Sequence, residues 1–241
     1  MKKEPLFKLA EKGRLPSHQF IDALTVRWIE GNRPKFGVVK KLHLPPRKFF
    51  ERFVPKREWF FEKKLIDSIH GLRHILRVAV YTFLIAPEFS SHITKIENLL
   101  TAVVLHDIGR KNDKSDPKHG WRAASWFRKN VATVGKKFQT KFTVEDVEEI
   151  YWAILFHELP RLTFTKNKNY SKFRDGIDIV RTADALDRYR LPKIKWWINE
   201  KILGYSVPMR FKKVAFDLVV KSERDFLNGI RSEDSVLNIL K

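Results

Sequence analysis

The stretch Asn98-Leu-Leu-Thr-Ala-Val-Val-Leu-His-Asp-Ile-Gly-Arg110 decides how the rest of the chain is read. Its apolar run predicts a helix buried over 94–108, and Gly109 is a residue type that commonly ends one. Two polar side chains, His106 and Asp107, stand at its dry end. Neighbours on a helix point about 100° apart, so both reach one small ion only if it lies off the helix end or edge. A neutral imidazole beside a carboxylate is half of a metal site. The alternative is a buried histidine that hydrogen-bonds its neighbour.

Outward from this stretch the pattern is helical. Residues 65–86 place Leu65, Ile69, Leu72, Leu76 and Ala79 at helical spacing, with Asp67 or Ser68 at the start and Pro87 at the end. His70 and His74 lie four apart and share a face. Further helices are predicted over 16–31, 118–131, 143–158, 176–190 and 208–228. Of these, 143–158 opens on Thr143 as N-cap with acids in its first turn. Residues 110–117 and 160–175 read as loops, and 34–48 as an irregular connector. The fold class is all-α.

The chain has 241 residues, 7 Trp and 19 Phe, enough for a substantial core. It has no cysteine, so a metal site must be built from histidines and carboxylates. That composition fits a cytoplasmic protein. The first residues lack the apolar segment of a secretory signal. The longest uncharged apolar run, Val78 to Pro87, is too short to span a bilayer, so no membrane partner is expected.

The net charge is +20 and sits mostly in the flanks. Residues 1–64 carry 17 Lys+Arg against 7 Asp+Glu, while 65–187 carry 19 against 15. Three segments are expected: a basic, aromatic-rich helical extension (1–64) packed on a core (65–191), followed by C-terminal helices (192–241). Residues 47–64 interleave rings with positive charge and are split by Pro55 into two short helices. Such a stretch either stacks nucleobases or packs its rings against a domain. The basic flanks are either a polyanion-binding surface or a solvated Lys-rich one.

Set side by side, the polar residues of the apolar helices converge. His74 lies in His-Ile-Leu-Arg-Val78, His106 and Asp107 in His-Asp-Ile-Gly-Arg110, and Asp184 in Arg-Thr-Ala-Asp-Ala-Leu-Asp187. Each sits where the helical pattern faces inward. A lone acid at Asp184 is costly there unless paired or liganded. Two imidazoles and two carboxylates suit a first-row divalent ion.

This ordered set resembles the HD-domain superfamily of metal-dependent phosphohydrolases over about residues 65–190. The resemblance implies an all-α HD-domain helical bundle with His74, His106, Asp107 and Asp184 as metal ligands. It implies hydrolysis of a phosphate mono- or diester, most readily that of a nucleotide. The alternatives are a nuclease acting on single-stranded nucleic acid, or a module that binds metal or ligand without turnover. His119 and His157 stand where some relatives hold a second ion, although Phe156-His157 replaces the His-His pair common there. They are second-site ligands, or contacts to the substrate phosphate, or acids. One or two ions are implied, and Mn, Fe, Co, Ni and Mg all tolerate such ligands. Asp107, His157, Arg110 and Lys111 are the catalytic candidates. His70, Arg77, His119 and His157 are the substrate-binding ones, with Arg77 equally readable as a structural partner to a helix acid.

Overall fold

The computed structural model describes residues 4–90, 95–198, 203 and 205–240. Among them the chain is all-helical, with no strand. The α-helices are α1 (Leu6–Glu11), α2 (Ala23–Gly31), α3 (Arg47–Glu51), α4 (Leu72–Phe89), α5 (Ile96–Leu105) and α6 (His119–Lys129). They continue with α7 (Val131–Phe138), α8 (Val144–His157), α9 (Lys168–Lys172), α10 (Arg174–Leu186), α11 (Met209–Leu227) and α12 (Ser232–Leu237). Helix α4 is the central one: α5, α10, α11 and α12 all pack on it, and α8 joins α5, α6 and α10 on the other side. Every residue of α4 from Leu72 to Thr82 is buried, as an element enclosed by neighbours requires. None of the described helices is long and apolar enough to cross a membrane.

One apolar cluster runs from Leu6 through Phe50, Val103, Ile154 and Phe216 to Leu240. Most rings of the basic stretch belong to it. Phe50 and Phe53 are fully buried, Trp59 and Phe60 nearly so, and Phe49 packs against them, leaving Phe61 exposed. Trp59 stacks at a tilt on Trp126 and meets Phe138 edge-on. The interleaved rings therefore serve packing, and only Phe61 is free for a base.

Several boundaries depart from the periodicity. The helix predicted over 65–86 begins at Leu72, because the chain folds back at Gly71. A Cβ there would stand 2.1 Å from the Ile66 carbonyl oxygen, so only glycine fits. Ser68 and Asp67 are accordingly not caps: the Ser68 hydroxyl donates to Asp113, and Asp67 accepts from Ser232. Pro87 does not end α4 but sits in its last turn, where a single ladder bond is lost. The helix predicted over 16–31 begins at Ala23, since Asp22 is extended and accepts from the Thr25 amide as N-cap. Ser17 and Gln19 use their backbone groups to hold neighbouring segments instead. The basic loop 160–175 contains the short α9. Residue 94, where the helix before His106 was expected to open, and residues 199–202, 204 and 241 of the C-terminal segment lie outside the described residues.

Candidate metal centre

Five helices bring six residues to one point. His74 comes from the first turn of α4, and Asp184 from the last turn of α10. His119 opens α6 and His157 closes α8. His106 and Asp107 occupy the tight turn after α5, where Arg110 donates its amide to the Asp107 carbonyl. That turn is pressed against α6. A Cβ on Gly109 would lie 2.5 Å from the His119 carbonyl oxygen, so glycine here permits the approach as well as stopping the helix.

The backs of the four imidazoles are held in one way. His106 Nδ1 donates to the Val103 carbonyl at 2.6 Å, and His157 Nδ1 to the Ile154 carbonyl at 2.6 Å. Both carbonyls belong to final helix turns that lack an intrahelical partner. His119 Nδ1 donates to the Asp116 carbonyl at 2.8 Å and lies 2.8 Å from Glu158. His74 Nδ1 donates to Asp187 at 2.9 Å. A carbonyl or carboxylate oxygen only accepts, so each Nδ1 carries the hydrogen and each neutral ring turns a lone pair outward at Nε2.

Those lone pairs meet. His74 and His106 bring Nε2 atoms within 3.1 Å, and His119 and His157 within 2.9 Å. Two acceptors at such distances repel unless a cation stands between them. Asp107 links the two pairs. Its Oδ2 lies 3.5 Å from His74 and 3.6 Å from His106. Its Oδ1 lies 3.2 Å from His119 and 3.6 Å from His157. Asp184 Oδ1 completes the first group, 3.3 Å from His74 and 3.9 Å from His106. Donors bound at about 2.0–2.1 Å to one ion stand about 3 Å apart, so the set could hold a metal ion. Asp107 Oδ1 is also buried with no hydrogen-bond partner. His74, His106 and Asp184, and separately His106, Asp107 and His157, form groups able to hold an ion.

The electrostatics keep both carboxylates ionised. Burial raises Asp107, but the Arg110 guanidinium and the imidazoles outweigh it and hold the carboxyl well below its ordinary value. Burial opposes ionisation of Asp184 too, and His74 and His106 overcome it. Burial pushes His106 down to about 3. It pushes His119 down as well, yet the nearby carboxylates of Asp107 and Glu158 outweigh it and raise that imidazole to about 9. A proton on His119 satisfies the same lone pairs that a metal ion would.

The other predicted residues fall differently. Arg77 is fully buried, with Asp187 at 2.7 and 2.9 Å and Glu223 at 2.7 Å, so it is a structural partner and not a phosphate contact. Lys111 is exposed over the Phe61 ring and outside the pocket at the metal centre. Arg110 does line that pocket, with Nε 3.0 Å from Asp107. His70 lies before α4 begins, and its Nδ1 meets the buried Asp113 at 2.8 Å.

The pocket holds about 360 Å³ and is walled by Arg181, Arg188 and Arg190 besides Arg110. Arg181 closes the end of α8 by donating to the carbonyls of Phe156, His157 and Leu159. Arg190 holds the Ile69 and Asp187 carbonyls. Arg188 donates through Nε to the Trp196 carbonyl and, among the described residues, has no carboxylate partner. Sequence reasoning missed Arg188, Glu158 and the support role of Asp187. The signal for Asp187 was present: His74/Arg77 and Asp184/Asp187 are two i, i+3 pairs on facing helices.

Comparison with known proteins adds nothing to this geometry: no family model, no curated protein and no solved structure matches the chain.

Proposed function

We propose that this protein is a metal-dependent phosphohydrolase of the HD-domain kind, acting on a small phosphate ester such as a nucleotide. The observation that carries the reading is Asp107 set between two pairs of facing Nε2 atoms, at the floor of an arginine-walled pocket. His74, His106, Asp107 and Asp184 would hold one ion, and Asp107, His119 and His157 a second. A bound divalent ion supplies a Lewis acid that polarises a phosphoryl oxygen and makes water nucleophilic near neutral pH.

The chain's own groups do the rest. Arg188 offers the donors of its two Nη atoms to phosphoryl oxygens, and Arg110 adds charge beside Asp107. The carboxylate of Glu158 and the carbonyls behind His106 and His157 fix ring orientation. A single-strand substrate is less favoured, because the rings that would stack bases are packed into the core.

The test is elemental analysis together with a panel of a generic phosphodiester, nucleoside monophosphates, cyclic nucleotides and single-stranded nucleic acid. Wild-type protein should carry a divalent ion and hydrolyse a small ester, and Asp107→Ala should lose both. Full metal occupancy in the variant would overturn the assignment.

A further inference from the structure

The pocket at the metal centre continues past Arg110. A second cavity of about 510 Å³ shares His70, Arg110 and Leu191 with it, so the two adjoin. The outer wall of this cavity comes from the N-terminal segment, through Ala10, Gly13, Leu15 and Gln19. Its floor is apolar, from Ile69 and Leu191, and Trp196 stands at its side with Lys114 and Lys193.

The wall is fixed in place. The Ile69 amide donates to the Gln19 carbonyl at 3.0 Å, and the Asp113 amide to the Ser17 carbonyl at 2.7 Å. Asp113 in turn accepts from the Gln19 amide at 2.7 Å, and its carbonyl from the Gln19 side chain at 3.1 Å. The Asp113 carboxylate also accepts from Ser68 at 2.9 Å and from His70 Nδ1 at 2.8 Å. Asp113 is buried, so the slightly exposed edge of His70 carries Nε2, an acceptor at the junction of the two cavities.

We propose that this second cavity binds the alcohol portion of the phosphate ester, and that the N-terminal segment selects the substrate. The proposal rests on the phosphohydrolase reading for the place of the phosphoryl group. The matching alcohol is ring-bearing and hydroxylated. Its flat apolar body lies on Leu15, Ile69 and Trp196, its acceptor edge faces Lys114, and a hydroxyl near the phosphate donates to His70 Nε2. A nucleoside has this chemistry and suits a cavity within the usual range for small-molecule sites. A strand would leave further nucleotides outside both cavities.

The test compares metal-loaded wild type with Trp196→Ala and Leu15→Glu on adenosine 5′-monophosphate and on glycerol phosphate. The ratio of kcat/KM for the nucleotide over that for the short ester should fall about tenfold in each variant, through KM, as expected for loss of a stacking or apolar surface. An unchanged ratio in both variants overturns the proposal. Binding of adenosine, which carries no phosphate, is measured in parallel by calorimetry on metal-free protein. If neither ester is hydrolysed, the phosphohydrolase reading fails alone. The cavity assignment then stands if wild type binds adenosine about tenfold more tightly than Trp196→Ala, and falls if wild type does not bind it.

Discussion

Replacing Asp187 by asparagine tests whether the bonds behind the histidines make the site. Asp187 is fully buried and none of its atoms faces the pocket. Its Oδ2 accepts from His74 Nδ1 at 2.9 Å and Arg77 Nη2 at 2.9 Å, and its Oδ1 from Arg77 Nε at 2.7 Å and Tyr81 at 3.0 Å. Asparagine keeps the volume but turns one oxygen into a donor. With the amide nitrogen toward His74, Nδ1 must become the acceptor, so the hydrogen moves to Nε2 and the ligating lone pair is lost. With it toward Arg77 Nε, donor faces donor.

Loss of such a supporting bond costs about 10–100-fold in metal affinity, or about 1.4–2.8 kcal/mol. Breaking a buried ion pair costs about 3–5 kcal/mol of stability. Arg77 retains Glu223 at 2.7 Å, which favours the lower end. The assays are competition with a chromophoric chelator for affinity and denaturant unfolding of the metal-free protein for stability. Asp187→Asn should lose about 3 kcal/mol of stability and at least about tenfold in metal affinity. A variant that loses the stability yet binds metal like wild type would refute the reasoning, since His74 would then not depend on Asp187 for its tautomer.

Three further outcomes follow from the same geometry. If His119 and His157 complete a second group with Asp107, metal content should approach two ions per chain, and His157→Ala should lower it by about one while the first ion stays; unchanged content in His157→Ala would remove the second site. In metal-free protein His119 is raised from 6.5 to about 9, so its contribution is fully present below pH 6.5 and is lost as pH rises through 9. That loss is on the order of 3 kcal/mol in unfolding experiments between pH 6 and 9.5, it should vanish when an ion replaces the proton, and a flat metal-free profile would contradict it. Asp146 closes a capping box with Thr143 and accepts from Lys95 and Asn98, so Asp146→Ala should cost about 1–2 kcal/mol in denaturant unfolding, with metal content unaffected.

The sequence carried the candidate ligands but not their supports, for a physical reason. Ligand positions are marked locally: a polar side chain inside an apolar helical run is anomalous wherever it occurs, and His74, His106, Asp107 and Asp184 each stand out in this way. Support is a matter of pairing across the fold. Arg77 reads equally as a pocket cation or as a buried partner until α10 and α11 are packed on α4, because Asp187 and Glu223 lie 110 and 146 residues away in the chain. Arg188 was hidden by the opposite problem. Its stretch is rich in charge, and its lack of a carboxylate partner among the described residues is conspicuous only beside neighbours such as Arg190 that are spoken for.

The boundaries that moved have the same origin. Periodicity extends a helix for as long as apolar residues recur, and Leu65, Ile66 and Ile69 kept the pattern of α4 going. What interrupts it is the close approach at Gly71 and the capture of Ser68 and His70 by Asp113, forty-five and forty-three residues later. The N-terminal segment shows the same competition: Gln19 lies on a helical pattern but pairs with Asp113 instead of extending α2. Residues that leave their local pattern in this way gather around His70, at the seam between the two cavities. A local sacrifice of helix is expected where the chain must build a surface for a ligand, and that is a further reason to test the second cavity for a ligand.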